Sequence, residues 1–214
     1  MGKILDAIEI AGKTIVSAIP IGGTLISATF DSVKNNCLAK RQQKWINAVE
    51  ERISKLECAL EDLGTNEQFT SALIKGTEIA VKTANQDKVS FLANAVINSF
   101  QQSIEEEKLV IFFELIDKYT VSHIKIINFF NNPKKFETTK TASYYNGSPL
   151  DLLFRAYPEL DNPLFNKIYK DVYLDGMINT ENLNVTMTSN GMEAKRTTTL
   201  GDDFLNFILS SSEI

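Results

Sequence analysis

Apolar residues return every three or four positions along most of this chain, the mark of helices that bury one face. Ile4, Ile8, Ala11, Ile15 and Ile19 make the first such face. From Asp31 to Leu63, the positions Leu38, Trp45, Val49, Ile53, Leu56, Leu60 and Leu63 predict one long helix with a coiled-coil-like stripe. Gly64 then suits a left-handed helix end, and Thr65 with Gln68 has the spacing of a capping box. The next helix runs to about Ala84 with Phe69, Leu73, Gly76 and Ala80 on one face, whose small residues predict a close helix crossing. Helices follow from Asp87 to Gln102 and from Glu105 to Tyr119, the first with Val89, Leu92, Val96 and Phe100 inward.

Beyond Thr120, which is placed to cap a helix, Val121–Asn131 turns Ile124, Ile127 and Phe130 to the core before Pro133 stops it. Pro149–Ala156 is the next helix, and Asn162-Pro163 reads as the start of another that closes at Gly176, with Met177-Ile178 returning to the core. The period then changes to two over Asn184–Ser189 and Met192–Leu200, joined by Asn190-Gly191, the dipeptide most characteristic of a two-residue hairpin turn. A last helix opens at Leu200-Gly201-Asp202. Three helices, a hairpin and a helix make the order of a winged helix. The expected fold is therefore mainly α, in three parts. Residues 1–30 form an apolar helical hairpin, residues 31–119 a helical region with the long helix, and residues 120–214 a winged-helix domain with a small β-hairpin wing.

Composition supports a folded chain: 43% of its 214 residues are apolar, and 13 Phe and 6 Tyr supply bulk for a core. The formal net charge of −5 is spread evenly. Residues 1–120 carry 13 Lys/Arg against 16 Asp/Glu, and residues 121–214 carry 9 against 11. Neither half has the basic excess that gripping a nucleic-acid backbone calls for. The most basic stretch, Lys40-Arg41-Gln42-Gln43-Lys44, reads as a solvated helix face. On one continuous helix, Cys37 and Cys58 would stand roughly 30 Å apart, too far to pair, and free thiols suit a reducing cytosol.

Candidate chemistry is sparse. The single histidine, His123, lies three residues after Thr120, where it serves the first helical turn better than it serves catalysis. Phosphate-loop, nucleophile-elbow and metal-ligand spacings are missing from the sequence. The expectation is a chain that is not an enzyme and uses no cofactor, metal or small-molecule substrate. Thr14–Phe30 carries no charge but is broken by Pro20, Gly22 and Gly23. Asp6 and Glu9 before it do not suit a signal peptide. Its Ile15, Ile19, Ile21, Leu25, Ile26 and Phe30 are candidates for burial, for contact with a partner or for contact with a membrane. On the C-terminal domain, Asn166, Lys167 and Lys170 of the helix in the recognition position, with Lys195 and Arg196 of the wing, are the candidate nucleic-acid contacts. Asp171, Asp175 and Glu193 beside them make a protein-interaction or purely structural role the leading reading for this domain.

Two stretches carry a resemblance. Lys88–Ser99, with Phe91-Leu92-Ala93-Asn94 inside it, precedes Thr120-Val121-Ser122-His123-Ile124-Lys125-Ile126-Ile127, and the chain closes on Thr199-Leu200-Gly201-Asp202-Asp203-Phe204-Leu205. This pattern resembles small bacterial proteins of the abortive-infection alpha kind and related helical families, over residues 85–130 and 162–208. The resemblance implies a non-enzymatic component of bacterial anti-phage defence or of a mobile element; a cytoplasmic chain working through protein contacts or self-association is the expectation. It brings over no catalytic residue. A winged-helix DNA-binding protein and a membrane-active effector using residues 14–30 are the alternative readings.

Overall fold

The computed structural model describes residues 26–56, 63, 65–102, 104–140 and 147–210. Among them the chain is mainly helical and forms no named strand. It divides into two units, one of residues up to Lys118 together with those from Phe207 onward, the other Tyr119–Asn206. Residues 14–25 of the apolar segment, with Ile15, Ile19, Ile21 and Leu25, lie outside the described residues. Ile26 and Phe30 belong to the first helix, which runs through the expected 30/31 boundary. Among the described residues no helix is long and apolar enough to cross a membrane.

In the first unit, α1 (Ile26–Ile53), α2 (Glu67–Lys82), α3 (Gln86–Gln101) and α4 (Glu106–Lys118) supply the helices. Trp45, Val49 and Ile53 line the buried face of α1. That helix ends ten residues before the expected Leu63, in a turn where Lys55 N donates to Arg52 O and Leu56 N to Ile53 O. Gly64 and Cys58 lie outside the described residues, and Cys37 is a free, exposed thiol. Asn66, not Thr65, caps α2, its side chain accepting from Phe69 N at 2.7 Å. The expected close crossing is present: a Cβ added at Gly76 would stand 3.1 Å from both the Trp45 ring and Val96. Trp45 Nε1 donates to Thr77 Oγ1 at 2.9 Å, so the only tryptophan is fixed by a hydrogen bond as well as by packing. Arg41 of the basic stretch donates to Val81 and Lys82 carbonyls at the end of α2, where a cation suits the negative helix terminus.

In the second unit, α5 (Val121–Asn131), a 3-10 turn (Pro133–Lys135), α6 (Glu137–Lys140), α7 (Pro149–Ala156), a second 3-10 turn (Pro158–Leu160), α8 (Phe165–Leu174), α9 (Ser189–Met192) and α10 (Thr199–Ile208) follow in order, the last two residues of α10 counting with the first unit. The expected bounds of α5 and α7 are matched. Ser148 and Asp151 form the reciprocal capping box of α7.

The Asn190-Gly191 hairpin expected as a wing is not formed. These residues sit inside the helical turn α9, with Thr188 at its N-cap. Gly147 explains part of this. Met187, which would pair across such a hairpin, instead exchanges both backbone hydrogen bonds with Gly147, at 3.1 and 2.7 Å. The only positive-φ glycine among the described residues is Gly176, whereas a two-residue hairpin of this type needs positive φ at its central residues. Antiparallel pairing occurs elsewhere, as a single bridge between Ile178 and Thr197. It is flanked by Asn179 N to Arg196 O at 2.9 Å and Thr198 N to Met177 O at 3.0 Å. The segments just after α8 and just before α10 therefore meet, and residues 180–195 form the connection between them.

Candidate functional site

The helix in the recognition position, α8, is set by its neighbours in the second unit. Asn162 Oδ1 accepts from Leu164 N at 2.9 Å, and Phe165 N donates to Asn162 O at 3.0 Å. This local turn occupies the residues expected to be the first helical ones, so α8 begins at Phe165. Phe165, Tyr169 and Val172 are buried. The Phe165 ring meets Phe154 edge-on at 4.8 Å, and the Tyr169 hydroxyl donates to the Thr180 carbonyl. Gly176, at φ +74°, ends the helix as expected.

Solvent meets the other face. Asn166, Lys167 and Lys170 are exposed there. So are two leucines that charge-based reasoning overlooked: Leu164 and Leu174 are each 66% exposed. The hint in the sequence was their spacing, since neither falls on the stripe of Phe165, Tyr169 and Val172.

Of the two lysines on this face, Lys167 is matched within the unit, and Lys170 is exposed. Lys167 Nζ donates to Asp171 Oδ1 at 2.5 Å. The other Asp171 oxygen lies 3.6 Å from Nε2 of buried His123. His123 Nδ1 accepts from the Thr120 backbone N–H at 3.1 Å and lies 2.9 Å from the Thr120 hydroxyl, closing the first turn of α5 as its spacing suggested. Tyr119 stacks on the imidazole with centroids 4.7 Å apart and donates its hydroxyl to Asp175 Oδ2 at 2.8 Å. Burial first, and the Asp175 hydrogen bond second, push the Tyr119 phenol far above its ordinary value, so it stays a neutral donor.

Of the two expected wing cations, only Lys195 is exposed, and it donates to Asp202 Oδ2 at 2.6 Å. Arg196 is 5% exposed. Its guanidinium donates to the carbonyls of Gly191, Met192 and Ala194 and lies 5.6 Å over the Phe130 ring. Gly191 and Met192 lie in the last turn of α9 and Ala194 just beyond it, so Arg196 supports α9 in place of a hairpin. Arg196 does not present a free guanidinium to a nucleic acid.

Asp202 gathers three donors from two segments: Lys195 and Thr197 Oγ1, the latter at 2.5 Å, and Asn131 Nδ2 at 2.8 Å. Burial pushes this carboxyl up, but the hydrogen bonds from Lys195, Thr197 and Asn131 outweigh it and hold the acid below its usual value. A carboxyl lowered on folding adds stability at neutral pH that is lost as pH falls through its folded value. Urea midpoints recorded from pH 5 down to about pH 2.5 should therefore fall less steeply for Asp202→Asn than for the parent chain, with Asp202→Asn already weaker at pH 7.

The resembling residues have structural work in these positions. Leu92 and Ala93 are fully buried. Asn94 Nδ2 donates to Ile208 O at 2.9 Å while its Oδ1 accepts from Arg52 Nε at 2.5 Å, and Asn98 Nδ2 donates to Phe207 O at 2.8 Å. Both asparagines thus serve carbonyls near the end of α10. Thr198 Oγ1 accepts from Gly201 N at 3.1 Å, so the threonine three residues before the glycine opens α10. In the first unit Lys44, Asn47, Glu51, Arg52, Gln86 and Ser90 line an open polar cleft of about 420 Å³. Among the described residues no group of His, Cys, Asp or Glu is arranged to hold a metal.

No protein-family model matches the chain, no curated protein matches its sequence, and no solved structure matches its fold.

Proposed function

We propose that this chain is a non-enzymatic interaction protein whose second unit docks another protein through the solvent face of α8. The observation that carries this reading is the make-up of that face. It offers two leucines at 66% exposure, while Lys167 is matched by Asp171, Lys195 by Asp202, and Arg196 is buried. Apolar anchors beside self-neutralised charges favour a protein surface over a phosphate backbone, whose affinity rests on uncompensated Lys and Arg.

A winged-helix-like reading of the second unit rests on α5, α7 and α8 standing ahead of α10 in the chain, with residues 180–195, which hold α9, at the place expected for a hairpin wing. The resemblance of residues 85–130 and 162–208 to abortive-infection alpha proteins supports placing the chain in bacterial anti-phage defence.

The test is a photoreactive residue at position 174, introduced into the full chain in its host before phage challenge. The expected result is a discrete protein adduct that is absent when the same residue replaces exposed Glu137. A second arm measures anisotropy with labelled duplex DNA at low ionic strength. Tight, strongly salt-dependent retention of DNA, with no protein adduct, would overturn the docking reading in favour of a nucleic-acid binder.

A further inference from the structure

Resting on the docking reading above, we propose that the partner on α8 is a second copy of this chain, with the two helices antiparallel. Exposed Leu164, Lys167 and Leu174, with half-covered Asp171 among them, succeed one another at steps of three, four and three. At about 100° per residue they occupy one stripe roughly 80° wide, the geometry of a helix-pairing line. Leu164 and Leu174 stand at its ends, each 66% exposed, and Lys167 and Asp171 stand between them.

The order is its own complement. A two-fold axis through the position of Tyr169 exchanges 164 with 174 and 167 with 171. Two copies set antiparallel bring each Leu164 onto the other's Leu174, and each Lys167 beside the other's Asp171. An isologous interface demands this property, because every contact in it occurs twice with the roles exchanged. Lys167 already pairs with Asp171 inside one copy, so docking places two ion pairs side by side with alternating signs and leaves no like charges facing. Buried Phe165, Tyr169 and Val172 hold the stripe on a rigid element.

A pair of helices this short buries less than the ~1,200 Å² of a standard interface, so association is reversible and weak, on the order of 10 µM to 1 mM.

Sedimentation of the full chain across about that range tests it, with rising average mass expected. Leu164→Lys alone and Leu174→Asp alone should each weaken association about tenfold or more, since each sets a charge against a leucine. The double variant, Leu164→Lys with Leu174→Asp, should recover it, because the antiparallel pairing places each new lysine against a new aspartate. Both leucines are largely exposed, so all three chains should keep the parent's thermal melt. A chain that stays monomeric to the highest concentration overturns the proposal, as does a double variant no better than the singles. The docking reading fails separately. If the chain is monomeric yet position 174 crosslinks to a different protein, self-pairing falls and docking stands.

Discussion

Gly201→Ala is expected to destabilise the chain by about 3–5 kcal/mol, among the largest effects of any single methyl group here. A Cβ at this position would stand 2.2 Å from the Met177 carbonyl oxygen, 3.1 Å from its carbon and 3.3 Å from its Cα. The obstacle is backbone, and that backbone is held. Met177 N donates to Val172 O at 3.1 Å, its carbonyl accepts from Thr198 N at 3.0 Å, and its side chain is fully buried. Relief would require breaking the joint between the end of α8 and the start of α10. Gly176 provides the contrast. It has φ +74° and open space around its missing Cβ, so Gly176→Ala carries only the left-handed backbone penalty of about 1 kcal/mol. Urea unfolding of both full-length variants, followed by far-UV ellipticity, checks the ranking. Equal midpoints would show that the chain relaxes around Gly201 more easily than its hydrogen bonds imply.

Trp45→Ala should lower stability by a similar amount, about 3–5 kcal/mol, for a different reason. The indole is wholly buried and lies against Gly76, so its removal leaves a large void between α1 and α2. It also takes away the donor to Thr77 Oγ1, although that hydroxyl still donates to Leu73 O at 2.7 Å. Trp45→Phe separates the two contributions. It fills most of the void and loses the hydrogen bond, so a penalty of about 1–2 kcal/mol is expected. Against a typical total of roughly 5–15 kcal/mol, the alanine variant should be partly unfolded on mild heating. The measurement is again ellipticity against urea, since the only tryptophan is the residue removed.

The legible parts of this fold are those written in neighbouring residues. Thr120 and Ser148 stand immediately before α5 and α7, and both helices begin where those residues say. Buried faces followed the three-four spacing for Phe69, Leu73, Gly76 and Ala80, and for Ile124, Ile127 and Phe130. The illegible parts depend on partners far along the chain. Asn190-Gly191 has every local mark of a hairpin, yet Met187 pairs with Gly147 and Arg196 serves the carbonyls of the helical turn. Neither contact leaves a periodic trace. The same holds at the candidate site. Exposure of Asn166, Lys167 and Lys170 follows from helical period, whereas the burial of Arg196 does not, because charged residues are rarely fully enclosed. Leu164 and Leu174 lie off the apolar stripe of Phe165, Tyr169 and Val172, so their exposure follows from the same period.

Arg196 also changes how a protease would see the connection it closes. Trypsin must draw a basic side chain into a deep pocket, and this one is sealed under carbonyls and the Phe130 ring. Lys195, one residue earlier, has an exposed side chain, but the amide that would be cut after it is the Arg196 N–H, held by Phe130 O at 2.8 Å. Cutting after either residue therefore waits for this joint with α5 to open, and the rate of scission there is a gauge of how often it does.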